Sequence, residues 1–194
     1  MDDVLDASAN MKFGVGQPIR RVEDMKGLAV RVQPSEVTAE MIRAMGARPV
    51  AIPFDQVRAA LKAGVLDVAE NTWSGYVAAG HHQVASYFNL TEHSMMPSVL
   101  VFSRKIWTEL SADEQKAIRA AAKDSVTFLR QRIDSYEVAA RLKAEDSGVQ
   151  VIDDVDRKSF ADALVPLYPI LAPQPELQAM VQEAQSDGDI ADVP

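Results

Sequence analysis

Three short apolar runs alternate with two helical patterns between residues 28 and 70, and this alternation limits the fold more than any other feature of the chain. The runs at 28–32, 49–53 and 65–70 have the length of buried strands. The segments 35–45 and 56–63 repeat apolar residues at helical spacing and end at glycines, with Ser35 and Asp55 as expected N-caps. Strand, helix, strand, helix, strand within about 45 residues is typical of a parallel sheet covered by helices, which predicts an α/β fold.

Three side chains of different chemistry stand at the ends of these predicted strands. Arg31 closes the first run, Phe54 follows the second and Asn71 follows the third. Open α/β sheets bind ligands beyond the carboxyl ends of their strands, where a guanidinium suits a carboxylate, a phenyl ring forms a flat apolar wall and a carboxamide both donates and accepts. The sequence leaves commoner roles open: a surface ion pair for Arg31, plain core for Phe54 and a turn or cap for Asn71.

The remainder of the chain contains one unusually long helical segment. Ser111 and Glu114 form a capping box, and from there to about residue 146 no Gly or Pro interrupts the helical pattern. A helix of ~35 residues would span ~50 Å, so it crosses two lobes or bends near Ser135 and Tyr136. Other expectations are an irregular lead-in at 1–17, strands at 85–88 and 98–103 around a polar turn at 91–93, a strand at 149–152, and helices at 153–164 and 176–185.

Composition excludes several classes of protein. Asp and Glu total 28 against 20 for Lys and Arg, and the formal charge of −8 argues against nucleic acid or an anionic membrane as the main partner. The absence of cysteine excludes disulfides and thiolate metal sites, and leaves the redox compartment undetermined. No apolar run approaches the ~20 residues of a membrane span, and the acidic N-terminus lacks the pattern of a signal peptide.

The residues of common catalytic centres are also missing from the sequence. His81, His82 and His93 are too few and too unfavourably placed to predict a metal site. There is no nucleophile turn of the Gly-x-Ser-x-Gly type and no phosphate-binding glycine loop. We therefore expect a protein that is not an enzyme and that needs no cofactor.

Several motifs together resemble a known family. They occur in one order over about residues 18–150, at 18–20, 23–32 (Glu-Asp-Met-Lys-Gly-Leu-Ala-Val-Arg-Val), 45–50, 53–57, 61–67, 70–71, 107 and 110–115. Their order and spacing are similar to those of the solute-binding proteins of TRAP transporters, the DctP family. The tail after Asp153 matches loosely.

The resemblance implies a periplasmic, two-lobed protein of the type II periplasmic-binding fold, which binds a small organic acid and delivers it to a membrane permease. It assigns the carboxylate clamp to Arg31, the pocket wall to Phe54 and an assisting amide to Asn71. Further candidates for ligand contacts are Ser35, Trp73 and Lys12. Lys12 stands near the position of a second family arginine and would replace it as a point charge.

The resemblance also implies that the elements of the first lobe are missing from this chain. Residues 18–96 would then form the ligand-binding lobe, 97–146 a crossing strand and a long helix that contact the first lobe, and 147–194 a C-terminal strand, helix and tail. Exchange of long helices in some relatives implies a homodimer as one option. The alternative is an interaction or sensory module that uses the same lobe without binding a solute and pairs its open sheet edge with another chain.

Overall fold

A computed structural model describes the backbone of residues 4–5, 9–14, 17–95 and 98–187 and the side chains of 17–94 and 99–183. The strands in these ranges are β1 (Val4–Leu5), β2 (Ala9–Gly14), β3 (Ala29–Val32), β4 (Arg48–Ala51), β5 (Val68–Asn71), β6 (Tyr87–Met95), β7 (Ser98–Val99) and β8 (Gln150–Ile152). The α-helices are α1 (Glu36–Ala44), α2 (Val57–Lys62), α3 (Trp73–Ala78), α4 (Arg104–Trp107), α5 (Ala112–Asp146), α6 (Arg157–Leu164), α7 (Tyr168–Leu171) and α8 (Pro175–Asp187).

Six of these strands form one mixed sheet in the order β4-β3-β5-β2-β6-β8. The strand β3 pairs in parallel with β4 and β5, which confirms the parallel arrangement predicted from the alternating pattern. A second parallel pair, β6 and β8, lies on the other side of β2. The strand β2 runs antiparallel to both of its neighbours and joins the two parallel groups.

The position of β2 corrects the expectation of an irregular lead-in over residues 1–17. The segment Ala9–Gly14 contains no β-branched residue and is short, but it alternates apolar and polar residues from Ala9 to Phe13, which is a local strand signal that the expectation of an irregular lead-in overlooked. Its hydrogen-bonding partners on both sides, β5 and β6, come from residues about 55 to 85 positions later in the chain. The local alternation and the pairing on both sides together make this segment a strand.

The region 85–103 also differs from its prediction. The strand β6 continues through the expected polar turn, since Thr91 is buried and its Oγ1 hydrogen-bonds to Nδ1 of His93 at 2.8 Å. The expected strand at 98–103 is reduced to the two residues of β7, which pair with β1. Residues 100–103 are not in a regular element, and Leu100, Val101 and Phe102 are exposed because no described strand pairs with them.

The sheet has an apolar core on each of its faces. Neighbouring residues of β5 point to opposite sides, with Val68 in one core and Ala69 in the other. Helices α1 and α6 cover the face of Val68, where Ile42 and Phe160 are buried. Helices α2, α3 and the C-terminal half of α5 cover the other face; their buried residues include Leu61, Trp73, Tyr76, Ala140 and Ala144.

The long helix predicted from residue 111 onward is confirmed as α5, which has 35 residues. The Ser111 side chain accepts a hydrogen bond from the Glu114 N–H, and the Glu114 carboxylate accepts one from the Ser111 N–H, so the predicted capping box is present. Ser35 likewise caps α1 as expected. Asp55 does not cap a helix, because Pro53 starts a 3-10 turn over Phe54–Gln56 and α2 begins after it.

The Asp67 carboxylate ties the start of β3 to the segment before β5. Its Oδ2 accepts a hydrogen bond from the buried N–H of Ala29 at 2.7 Å, and its own N–H donates to the Ala29 carbonyl. We expect Asp67→Ala to lower the free energy of unfolding by about 1–3 kcal/mol, because the Ala29 N–H loses its partner. Urea unfolding measures this change. Asp67→Asn retains an acceptor oxygen and should lose less; equal losses for both variants would contradict the account.

Candidate functional site

Arg31 is held at the C-terminal end of β3 with most of its hydrogen-bonding capacity unused. Its side chain is 6% exposed, and its Nε donates to the carbonyl of Ile52, just after β4, at 3.3 Å. Its Cζ lies 5.7 Å from the ring centroid of Phe54. Among the described residues, its two terminal nitrogens donate no hydrogen bond and no carboxylate forms an ion pair with it.

The electrostatic environment of Arg31 combines burial with the negative charge of Glu70. Burial lowers the pKa of Arg31, and the charge of Glu70 opposes that shift. The Glu70 carboxylate forms its own short contact, from Oε2 to Nε2 of His93 at 2.9 Å. Arg31 is therefore a buried cation whose guanidinium can donate hydrogen bonds directly to an anionic ligand.

Phe54 stands beside Arg31 on the surface of the fold. It is the first residue of the 3-10 turn that follows Pro53, and it is 48% exposed, so it is not a core residue. Its ring centroid lies 5.5 Å from that of His81. Part of the Phe54 ring thus packs against the buried His81, and the rest of the ring is open to a ligand.

Asn71 is the last residue of β5 and lies at the same edge of the sheet as Arg31 on β3. Its Oδ1 accepts a hydrogen bond from the Thr72 N–H at 2.9 Å. Its Nδ2 is buried and has no hydrogen-bond partner among the described residues. A buried amide donor without a partner is costly, so this group has a strong requirement for an acceptor.

The other predicted contacts lie in different surroundings. Ser35 is exposed and lines a pocket of about 340 Å³ beside β3, in which Arg31 takes no part. Trp73 is 5% exposed and its indole packs on Phe88, with the ring centroids 4.0 Å apart. Lys12 lies in β2 opposite Glu70 and Asn89, and its side chain is outside the described part of the chain. The structure thus brings Arg31 and Phe54 into contact, places Asn71 on the neighbouring strand, and does not add Ser35 or Trp73 to that contact.

Two buried histidines near the site have roles that sequence reasoning did not find. His93 has a side-chain exposure of 1% and joins the Thr91 hydroxyl to the Glu70 carboxylate. His81 is buried under Phe54. Burial, followed by the charges of Arg31 and Arg58 and by His82, lowers the pKa of His81 to about 4. The sequence contains no local signal for these contacts, because only the folded sheet brings each histidine to its partners.

Metal binding has no support in the described side chains. No group of three or more His, Asp or Glu residues in this part of the chain could hold a metal ion. The helices in the described ranges also include none long and apolar enough to cross a membrane. At the edge of β3 and β5 the described side chains offer a cation at Arg31, an aromatic face at Phe54 and an amide donor at Asn71.

A comparison with known families identifies the family of the chain. The family described as bacterial extracellular solute-binding protein, family 7 (DctP), matches residues 8–174. The chain belongs to this family. The membership confirms the resemblance drawn from the motifs, and it confirms that the chain belongs among solute-binding proteins rather than enzymes.

Relatives in the DctP family extend beyond this chain. A solute-binding protein of Chromohalobacter salexigens is 33% identical over 184 residues, which make up 93% of this chain and 55% of that protein. A TRAP periplasmic solute-binding protein from Bradyrhizobium, in complex with galacturonate, gives a TM-score of 0.87 at 39% identity and covers 94% of this chain and 61% of that one. One from Chromohalobacter salexigens, with bound D-glucuronate, gives 0.89 at 32% identity with the same coverage of 94% and 61%. The chain spans little more than half the length of these relatives.

His81 should make the stability of this DctP-family chain depend on pH. Because its pKa of about 4 in the folded state lies below the ordinary 6.5, the unfolded chain takes up the proton first as the pH falls. The contribution of His81 to the free energy of unfolding is complete above pH 6.5 and is lost progressively as the pH falls to about 4. Lowering the pH from about 7.5 to about 5 should cost roughly 2 kcal/mol of unfolding free energy from this group alone.

The matched variant for this prediction is His81→Gln, which cannot titrate. Urea unfolding at a series of pH values should show a shallower loss of stability in the variant than in the parent chain, since the carboxylates titrate equally in both. Parallel curves for the two proteins between about pH 7.5 and 5 would show that His81 is not held neutral by the fold.

Proposed function

We propose that this chain forms one wall of a cleft that binds a small sugar acid, with Arg31 holding the carboxylate of the ligand. The observation that carries the proposal is the buried guanidinium with unused terminal donors beside the exposed ring of Phe54. A carboxylate that makes two parallel hydrogen bonds to such a fork gains both charge attraction and a fixed orientation. Burial strengthens this attraction because little water competes for the cation.

Phe54 and Asn71 supply the other two contacts of the proposed site. The exposed face of Phe54 offers a flat surface for the less polar side of a sugar ring. The Nδ2 of Asn71 offers a donor to a carboxylate or hydroxyl oxygen, and this bond would satisfy the buried amide. The galacturonate and glucuronate found in related structures each have a carboxylate and a sugar ring that bears hydroxyl groups. We therefore propose uronates as the substrate class.

The second wall of the cleft would come from a further lobe that packs on the exposed apolar groove of this chain. Residues between 100 and 107 and the first turns of α5 line a groove of about 670 Å³, including Phe102, Trp107 and Ile118. Such a surface requires a covering partner. By family membership we further propose that the protein acts in the periplasm and delivers its ligand to a TRAP permease.

Replacement of Arg31 tests the proposed site. We expect Arg31→Ala to weaken D-galacturonate binding by about 10- to 100-fold, because charge-assisted hydrogen bonds to the carboxylate are lost. Arg31→Lys keeps the charge but lacks the planar guanidinium, so its affinity for D-galacturonate should lie between those of the parent chain and Arg31→Ala. Isothermal titration calorimetry measures these affinities on this chain, alone and joined to the portion of the Chromohalobacter relative that it leaves uncovered.

Arg43→Ala is the matched control for the loss of one arginine. Arg43 lies on α1 and pairs with the exposed carboxylates of Glu36 and Glu40, so its removal should leave the affinity unchanged. Equal galacturonate affinities for the parent and Arg31→Ala would remove the proposed carboxylate contact.

A second candidate function is an interaction module that binds no solute, and the same apolar groove favours it. Phe128 is 61% exposed on α5 and extends the apolar surface beyond the groove. If this module were the function, the chain would associate in a concentration-dependent way and ignore uronates. We expect instead that sizing over a wide concentration range shows no change in mass when galacturonate binding is intact in the joined protein.

A further inference from the structure

Glu137 on the long helix α5 makes a two-oxygen contact with the turn that follows Asn71. Its Oε2 accepts a hydrogen bond from the Trp73 N–H at 3.0 Å, and its Oε1 accepts one from the Ser74 N–H at 3.1 Å. These two donors belong to the first turn of α3, which cannot satisfy them by its own helical hydrogen bonds. One side chain from a distant part of the sequence therefore fixes the beginning of α3.

Every backbone N–H of the four residues after Asn71 has a defined acceptor. The Thr72 N–H donates to Asn71 Oδ1, the next two donate to Glu137, and the Gly75 N–H donates to the Thr72 hydroxyl at 3.2 Å. The Asn71 carboxamide is thus one member of a continuous set of hydrogen bonds. The direction in which the Asn71 carboxamide points therefore depends on the position of the first turn of α3.

Gly75 shows how closely α3 surrounds the Asn71 side chain. A Cβ atom at Gly75 would overlap Asn71 Oδ1 and would lie 2.8 Å from its Cγ and 3.1 Å from its Nδ2. The backbone of Gly75 has an ordinary negative φ, so the need for glycine here comes from space and not from conformation. A shift of α3 toward the strand end would push the Asn71 amide out of its present position.

The contact of Glu137 differs from those of ordinary acidic residues on α5. Glu145 pairs with Arg141 one turn away on the same helix, where both side chains are partly exposed. Glu137 reaches across 63 residues of sequence to Ser74, and Arg141 on the same helix lies 5.8 Å from the Trp73 ring centroid. Both interactions act on the segment directly after the last residue of β5.

We propose that Glu137 is a positioning residue for ligand binding, which acts by holding the first turn of α3 so that the Asn71 amide is presented to the ligand. This inference rests on the proposed function, since it takes Asn71 as a ligand contact. It makes the long helix, which contributes no side chain to the Arg31 and Phe54 contact, a determinant of affinity at the site.

The first test uses Glu137→Gln, which preserves the size of the side chain but leaves a single acceptor oxygen. We expect hydrogen exchange of the Trp73 and Ser74 amides to accelerate by about tenfold or more, and the side-chain amide resonance of Asn71 to shift, in NMR spectra of the free chain. D-galacturonate affinity should fall by roughly 5- to 20-fold, since the amide is no longer held in place. Asp134→Asn, an exposed acid on the same helix, should change none of these quantities.

A double-mutant cycle shows whether Glu137 acts through Asn71. If it does, Glu137→Gln should cause a clear loss of affinity in the parent chain and almost none in an Asn71→Ala background. Equal losses in both backgrounds, or unchanged Asn71 resonances in Glu137→Gln, would overturn the positioning role. Arg31→Ala separates this result from the proposed function, because it should weaken binding whether or not Glu137 positions Asn71.

Gly75→Ala provides an independent approach that leaves Glu137 intact. The added methyl group should displace the Asn71 amide and lower galacturonate affinity by about tenfold, with Asn71 resonances shifted in the same direction as in Glu137→Gln. An unchanged affinity in Gly75→Ala with displaced Asn71 resonances would show that the position of the amide does not matter, which would overturn the inference. Thermal unfolding of each variant confirms that the comparison is made between folded proteins.

Discussion

The organisation of the site depends on one cation, Arg31, which is buried and forms no ion pair with any side chain that the structure describes. Among the residues that the structure describes, the close partners of this guanidinium at the end of β3 are the Ile52 carbonyl and the ring of Phe54, although removing a charge from water is unfavourable unless it is compensated. The negative charge of Glu70 offsets part of that cost, and the Glu70 carboxylate itself contacts His93. Preorganised charge of this kind is available to an incoming anion without first breaking an existing ion pair, which is how a rigid receptor gains affinity.

The sheet explains why side chains from three separate segments meet. Parallel pairing of β3 with β4 and β5 brings the C-terminal ends of the strands to one edge, so that the residues following each strand converge there. On one face, α1 and α6 fix β3 through an apolar core, and on the other α2, α3 and α5 fix β5. The polar groups at the edge are therefore held by two separate packed layers.

The sequence predicts the elements whose signals are local. The alternation over residues 28–70, the caps at Ser35 and Ser111 and the uninterrupted pattern of α5 correspond to the observed elements, because apolar periodicity and capping are properties of neighbouring residues. Arg31, Phe54 and Asn71 could be placed at strand ends for the same reason. The strand β2 has a short alternation of its own from Ala9 to Phe13, but its central place in the sheet could not be predicted, since its pairing partners lie far away in the chain. The contacts of His93 with Glu70 and of Glu137 with α3 could not be predicted either, because the partners are far apart in the sequence and no local pattern connects them.

The place of β2 in the sheet has a consequence for how the protein can be handled. The strands β4, β3 and β5 form one hydrogen-bonded group and β6 and β8 another, and the backbone of β2 is the hydrogen-bonded link between them. Trimming the first fourteen residues, which looks harmless from their composition, would split the sheet into halves with two newly exposed edges. Expression boundaries chosen for crystallisation or display should therefore begin ahead of Ala9.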